Sequence, residues 1–242
     1  MFSIIMPAYN AEKFISESIE SVLQQNFQEY ELIIINDCST DNTVSIIQEY
    51  RKRDTRIKLL NNKNNSGVAI TRNHGIEHAQ YPYICFLDSD DLWTPDKLQK
   101  YLKEFEEGNN VIYSFYTRFN QDGNLNLVKT PLVITYHELL KGNCIGNLTG
   151  AYNSKNLGKF YQKKIKHEDY VMWLEILKQA GSAVCIPENL AFYRVSDQSL
   201  SSNKLKSLLW TWNIYYQELE LGFMYSSYLM INSALRAVFK RF

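Results

Sequence analysis

Short apolar runs alternate with stretches in which apolar residues recur every three or four positions. Phe2–Met6 reads as a strand closed by Pro7, and Ile15, Ile19, Val22 and Leu23 then follow helical spacing. Leu32–Ile35 is a second strand, with a helix through Val44, Ile46 and Ile47 behind it. Ile57–Leu60 is a third strand and Val68–Ala79 a helix; Tyr83–Leu87 is a fourth strand and Asp96–Glu106 a helix; Val111–Tyr116 is a fifth strand. Strands apolar at nearly every position are buried on both faces. The pattern therefore predicts an α/β fold, a mostly parallel, doubly wound sheet covered by helices. Ligands of such sheets bind beyond the carboxyl ends of the strands.

Residues 117–166 are less regular. Asp122-Gly123 between short apolar runs predicts a hairpin turn, and Lys141-Gly142-Asn143 ends a short helix. A further helix runs from Glu168 and Asp169 to about Lys178. Lys155, Lys159, Lys163, Lys164 and Lys166 form a basic cluster just before it. A solvated face is the default reading, and attraction of an anionic ligand is the functional one. Leu205, Leu208, Leu209, Trp212, Tyr216 and Leu219 make a helical stripe, broken at Gly222. A second segment carries Phe223, Tyr228, Leu229, Ile231, Leu235, Val238 and Phe239, and Arg236, Lys240 and Arg241 close the chain. Two readings of this helical segment stand: packing on the preceding domain, or a peripheral membrane contact through residues 203–242.

Composition narrows the function classes. With 242 residues and 45% hydrophobic content, the chain buries a large core without disulfides. Lys+Arg and Asp+Glu both number 26, a balance that argues against nucleic acid as a partner. Cys38, Cys85, Cys144 and Cys185 are far apart with no CxxC pair, which argues against structural zinc and for a reduced, cytoplasmic chain. The first residues do not read as a signal peptide, and Leu221–Leu235, the longest uncharged run, is too short and polar to span a bilayer.

The strand ends carry the candidate chemistry. The first ends Pro7-Ala8-Tyr9-Asn10, the second Asn36-Asp37, the fourth Asp88-Ser89-Asp90-Asp91. Neither GxGxxG nor GxxxxGK[ST] is present, which excludes the usual dinucleotide and P-loop sites. An aromatic ring can stack on a base, and an aspartate can accept from a base N–H or a ribose hydroxyl. Three acids within four residues repel one another unless a cation offsets them. A divalent ion shared with diphosphate oxygens would do so; alternatively Asp90 or Asp91 caps the helix begun at Thr94-Pro95-Asp96.

Taken together, Pro7-Ala8-Tyr9-Asn10-Ala11-Glu12, Ile35-Asn36-Asp37-Cys38-Ser39-Thr40-Asp41, the run Asn65 to Gly75 and Phe86-Leu87-Asp88-Ser89-Asp90-Asp91 resemble the nucleotide-sugar domain of glycosyltransferase family 2. His167-Glu168-Asp169-Tyr170-Val171-Met172-Trp173-Leu174 is similar to the family's ED-x-x-x-W segment. The resemblance spans roughly residues 1–200 and implies the GT-A fold and inverting transfer from a UDP-sugar. It implies that Tyr9 and Asp37 hold the uracil, Arg72 contacts the nucleotide, Asp88 meets the ribose and Asp90 ligates Mn²⁺ or Mg²⁺, with Pro7, Ala8, Glu12 and Ser89 in the same site. Asp169 is implied as the base. Neighbouring helical positions diverge by about 100°, so Glu168 does not address the same oxygen. Asp91, Glu168, Trp173 and Arg194 are then expected on the acceptor side or in support of it, and His167 outside the chemistry.

One departure stands out. The run Tyr193 to Ser201 lacks the His that many family members place there, which leaves Arg194 and the serines for phosphate and Asp197 as a substitute ligand. By this resemblance, residues 1–116 form the nucleotide-sugar half, 117–202 the acceptor half and 203–242 a helical extension. The implied role is transfer to a glycan or lipid-diphosphate-linked acceptor in bacterial O-antigen or capsule synthesis, at the inner face of the cell membrane if the extension binds lipid. A nucleotidyltransferase making nucleotide sugars and an inactive sugar- or nucleotide-binding module are the alternatives.

Overall fold

The computed structural model describes residues 1–195 and 204–239, and of residues 204–207 and 234–239 the backbone alone. The loop serines and Asp197, the side chains of Leu205, Leu235, Arg236, Val238 and Phe239, and Lys240 and Arg241 therefore lie outside the described residues.

The first half builds as the hydrophobic pattern predicts. Strands β1 (Phe2–Ala8), β2 (Tyr30–Asn36), β3 (Ile57–Asn61) and β4 (Tyr83–Phe86) alternate with helices α1 (Ile15–Leu23), α2 (Thr43–Arg53) and α3 (Val68–His78). They pair in the order β3-β2-β1-β4, all parallel. Side chains of a strand alternate between faces. Ile5, Ile33 and Ile35 accordingly enter one core with Ile76 of α3, while Ile4, Met6, Leu32 and Ile34 enter the other with Ile15 and Ile19 of α1 and Ile47 of α2. Gly75 lets α3 approach closely, because a Cβ there would lie 2.6 Å from Ile5 Cγ2.

Pro7 does not close β1; it pairs in register with Ile35, inside the strand. Pairing between β1 and β4 ends at Ile5 and Phe86. Ile5 O faces β4, accepting from Leu87 N, and Ala8 O faces β2, accepting from Asp37 N. By alternation Pro7 points to the β4 side, just past the end of that ladder, where its missing N–H leaves no bond unmade.

The second half is mixed. After the two-residue β5 (Leu92–Trp93) and α4 (Lys97–Glu106), β6 (Val111–Asn120) turns at Gln121-Asp122 into β7 (Gly123–Val128), the expected hairpin. Then come β8 (Val133–Thr135), α5 (Tyr136–Leu139), β9 (Ala151–Asn153), α6 (Ser154–Leu157), α7 (Glu168–Ala180) and β10 (Ser182–Arg194). β6 is not the next parallel neighbour of β4. The antiparallel β9 inserts between them, and β10 then joins β6 in parallel. The division expected at residue 116 falls inside β6, and one ten-stranded sheet runs through both halves.

The C-terminal segment forms α8 (Lys204–Asn213), a π-helical turn (Ile214–Glu218) and α9 (Phe223–Phe239). It buries Ile214, Tyr215 and Leu229 in the core shared with α7. The Tyr215 hydroxyl donates to Leu140 O (2.6 Å) and meets the Tyr170 hydroxyl of α7 at 3.1 Å. The inward face thus includes residues adjacent to the predicted stripe, whose Leu208, Leu209 and Tyr216 are exposed. No helix among the described residues is long and apolar enough to cross a membrane.

Candidate active site

Two loops at the carboxyl ends of β1 and β2 lock together through reciprocal hydrogen bonds. Asn10 N donates to Ser39 Oγ, Ala11 N to Thr43 Oγ1 and Glu12 N to Asp41 Oδ2; Thr40 N returns to Asn10 Oδ1 and Asn42 N to Glu12 Oε2. Asn10 and Cys38 adopt left-handed φ values of 48° and 63° to make the turns, strained conformations that only a fixed surround sustains. Pro7 and Ala8 are buried behind this lock. Tyr9 stands 52% exposed at the tip of β1, an open aromatic platform.

Asp37, expected against the uracil, also holds the neighbouring loop. Its carboxylate accepts from Asn62 Nδ2 (2.8 Å), Ser66 N (2.8 Å) and Gly67 N (2.9 Å), so it pins the 62–67 segment. Burial alone would raise its carboxyl, but these donors and Thr71 hold it below the usual range. Gly67, at φ 85°, is shaped to present that N–H.

Beside the 62–67 segment opens a cleft of about 730 Å³, lined by Ser66, Arg72, Asp88, Asp91, Asn143 and residues 164–169, among others; Tyr9 and Asp90 are not in this lining. Arg72, 5% exposed, spans it. Its Nη2 donates to Asp88 Oδ1 at 2.6 Å and its Nη1 to Glu168 Oε1 at 3.0 Å and Gln162 Oε1 at 3.2 Å. One guanidinium therefore joins the end of β4 to the start of α7. Burial opposes the charge, but Asp88, Glu168 and Asp169 outweigh it and raise the guanidinium further. Arg72, expected against the nucleotide, lines the cleft and forms an ion bridge in its wall.

The acids divide by environment. Burial and then Asp88 push the Asp90 carboxyl up to about 6. Asp91, 1% exposed, is pushed well above the ordinary range by burial, Asp88 and Asp90, and accepts from Arg194 N at 2.8 Å. It does not cap α4, whose N-cap, Asp96, has no side-chain cap bond. Asp169 is raised to about 6 by burial and then by Glu168, with Arg72 opposing. Tyr170 N donates to Asp169 Oδ1 at 2.8 Å and Asn143 Nδ2 approaches Oδ2 at 3.5 Å. Glu168 points to Arg72 while Asp169 faces Asn143, the divergence expected of neighbouring helical positions.

Two expected residues are structural supports. Arg194 Nε donates to Asp90 O (2.7 Å) and Nη2 to Glu17 Oε2 (2.6 Å), with the guanidinium between the rings of Phe14 and Phe119 at 4.4 and 4.5 Å. It clamps the Asp88–Asp91 turn. Trp173 is fully buried against Phe86, Tyr152 and Gly150, where a Cβ would overlap its indole; it packs beneath α7 and does not line the cleft.

Sequence reasoning missed Asn143, Asn147, Gln162 and the polar floor below them. Asn73 and Gln162 exchange two hydrogen bonds, Asn73 Nδ2 to Gln162 O and Gln162 N to Asn73 Oδ1, both 2.7 Å. Trp93 Nε1 and Lys97 Nζ both reach Leu148 O (3.2 and 3.4 Å), and the Tyr101 hydroxyl reaches Thr149 O at 2.5 Å. Lys97 is fully buried with no ion pair among the described residues, and burial drives its ammonium down to about 7. The unfolded state therefore binds more protons between pH 7 and 10.5, so stability rises with pH across that window, by at most about 1.4 kcal/mol per pH unit. Denaturant unfolding should show Lys97→Met lacking this rise; a pH-independent gap between the two proteins would contradict a neutral lysine.

Strand-end acids, two interlocked loops beyond β1 and β2 and an acid on the first turn of α7 thus surround or adjoin one cleft. The Glycosyl transferase family 2 profile matches residues 3–171. The chain belongs to glycosyltransferase family 2. Among relatives of this family-2 chain, TuaG of Bacillus subtilis (strain 168), named for teichuronic acid biosynthesis, is 39% identical over 100% of the chain and 97% of its own length. WfgD of Escherichia coli, named a UDP-Glc:α-D-GlcNAc-diphosphoundecaprenol β-1,3-glucosyltransferase, is 39% identical over 88% of the chain and 85% of its own length. The structure of S. aureus TarS 1–349 with UDP-GlcNAc superposes with a TM-score of 0.75 at 20% identity, over 96% of this chain and 71% of that one. A mannosyltransferase of Pyrobaculum calidifontis with GDP-Man and Mn²⁺ gives 0.71 at 15% identity, over 97% and 73%. The fold is thus the GT-A fold, and the family excludes the nucleotidyltransferase alternative.

Proposed function

We propose that this family 2 glycosyltransferase moves a sugar from a UDP-sugar, with inversion, to a hydroxyl of a glycan carried on a lipid diphosphate, in assembly of a bacterial surface polysaccharide. The carrying observation is the Arg72 bridge. It holds Asp88 and the first turn of α7 one guanidinium apart, so a donor diphosphate at Asp88 and an acceptor hydroxyl at Asp169 meet in one cleft, with Asp90 on the same turn as Asp88. Inversion in a single displacement requires a base on the acceptor side. Asp169, more basic than an ordinary carboxylate and held by Tyr170 N and Asn143, takes that proton. Tyr9 offers its ring to the uracil, and Asp37 and Glu12 act by fixing the loops around it. The names of WfgD and TuaG support the acceptor class and the surface-polysaccharide role.

The donor set fits Mn²⁺ or Mg²⁺. No group of three metal-ligating side chains exists among the described residues. Asp90 and Asp88 supply a pair of hard oxygens whose mutual repulsion a cation would relieve, the pattern of an ion completed by water and phosphate. Such an ion, when bound, supplies positive charge against the departing UDP. A panel of UDP-sugars tested for thermal protection with and without Mn²⁺, then for transfer to GlcNAc-diphosphate-lipid, checks the reading. Absence of protection by every UDP-sugar would overturn it.

The exposed face of α8 and α9 supports a peripheral membrane contact, on the cytoplasmic face where nucleotide sugars are made. Leu209, Phe223, Met224 and Ile231 are 64%, 66%, 86% and 61% exposed, while Leu229 beside them anchors the segment. The protein should co-sediment with anionic vesicles at low salt, and Phe223→Glu with Ile231→Glu should release it while UDP binding persists. No sedimentation of the unmodified chain would remove the membrane from the reading.

A further inference from the structure

The basic cluster before α7 is one feature in sequence and two in space. Lys159 Nζ donates to the carbonyls of Glu77 and Ala79, both at 2.9 Å, and closes the end of α3. Lys163 Nζ pairs with Glu218 at 2.8 Å and ties the π-helical turn to the domain. Lys155 is exposed outside the cleft lining. Only Lys164 and Lys166 line the cleft, and neither has an ion pair among the described residues. Lys166 Nζ lies 5.8 Å from the centre of the Trp210 ring, which also lines the cleft.

These two exposed lysines line a cleft whose other charged side chains, Arg72 apart, are acidic. Asp88, Asp91, Glu168 and Asp169 line it, with the Arg72 charge already shared between Asp88 and Glu168. A diphosphate entering on the acceptor side meets repulsion unless a local counter-charge receives it. Position supplies the rest of the argument. In a sugar linked to a diphosphate, the phosphate is attached at the anomeric oxygen of the ring that presents the attacking hydroxyl. Its binding group must therefore stand about one sugar ring from the base. Lys166 and Lys164 precede Asp169 by three and five residues, so their Cα atoms lie within about 11 and 18 Å of its Cα, and all three residues line one cleft.

We propose that Lys164 and Lys166 bind the diphosphate of the acceptor, so that the enzyme selects a diphosphate-linked sugar over the same sugar on a neutral carrier. The proposal rests on the transfer reaction argued above and adds to it the residues that read the acceptor's anion. Both are positioning residues, because they hold the acceptor and leave the proton transfer to Asp169.

The test pairs kinetics with binding. Transfer is measured to GlcNAc-diphosphate-alkyl and to neutral GlcNAc-alkyl, with wild type and the Lys164→Gln, Lys166→Gln double variant. The expected result is an acceptor KM raised about tenfold for the diphosphate substrate, the sum of two partly exposed charge pairs. Donor KM, kcat and transfer to the neutral acceptor should be unchanged, and the wild-type preference for diphosphate should fall with salt. Binding of dodecyl diphosphate to enzyme saturated with UDP and Mn²⁺ should weaken to the same extent. An unchanged preference in the variant, or equal binding of dodecyl diphosphate to both proteins, overturns the proposal and returns the lysines to a solvated face. A raised donor KM with unaltered acceptor preference also overturns it, by placing the lysines on the UDP. Absence of transfer to any diphosphate acceptor would instead count against the proposed reaction, and the binding arm still reads the site.

Discussion

Asp169→Asn is expected to lower the transfer rate by roughly 10²–10⁴ while UDP binding and the fold persist. The amide keeps the shape and the bond from Tyr170 N but cannot accept a proton from the attacking hydroxyl. The wild-type rate at saturating donor and metal should also carry an acidic limb. Burial and Glu168 set the Asp169 carboxyl near 6, so below that pH it is protonated and cannot act as base; above it the rate levels off. The Asn variant should lack this limb. Glu168→Gln is a different case, because Glu168 is bound to Arg72. An active Asp169→Asn enzyme beside an inactive Glu168→Gln enzyme would move the base to Glu168.

Asp90→Ala should abolish measurable transfer, a loss of at least about 10²–10³, since metal stabilisation of a leaving group is worth several kcal/mol and each 1.4 is tenfold. The variant should remain folded and is expected to gain stability. Removing Asp90 relieves a carboxylate that is buried beside Asp88 and Asp91, while Arg194 still holds the turn through its backbone N–H to Asp91 and through Glu17. Chelation of divalent ions in the wild type should reproduce the loss of transfer and weaken UDP binding. Unchanged UDP affinity and turnover in chelator would remove the metal from the reaction. The contrast between a more stable and an inactive protein also separates this role from a structural one, in which Asp90→Ala would lower the unfolding temperature.

Much of the nucleotide half is legible in the sequence because its signals are local. Four strands apolar on both faces, helices between them and acids at the strand ends are each readable within a dozen residues. Pro7 is instructive as an exception. Proline normally marks a strand end, yet here β4 stops first, and only the neighbour's length makes an internal proline harmless. The insertion of β9 between β4 and β6 is similarly invisible, since a three-residue strand carries too little pattern to declare its partners.

The amino-acid sequence by itself determined the periodicities, hence which elements form and which of their faces are apolar, and it put Asp88 and Asp90 at a strand end and Asp169 in the first turn of a helix. Tertiary structure decided which polar groups remain available. Arg72 meets Glu168 from 96 positions away, Arg194 is taken up by Asp90 O and Glu17, and Asp37 is taken up by the 62–67 segment. It also split one run of five lysines into two that brace the fold, two that line the cleft and Lys155, exposed outside it. The reason is physical: a side chain's periodicity reports the face it occupies on its own element, whereas its charge is spent or kept by whatever packing brings against that face, and those partners lie far along the chain.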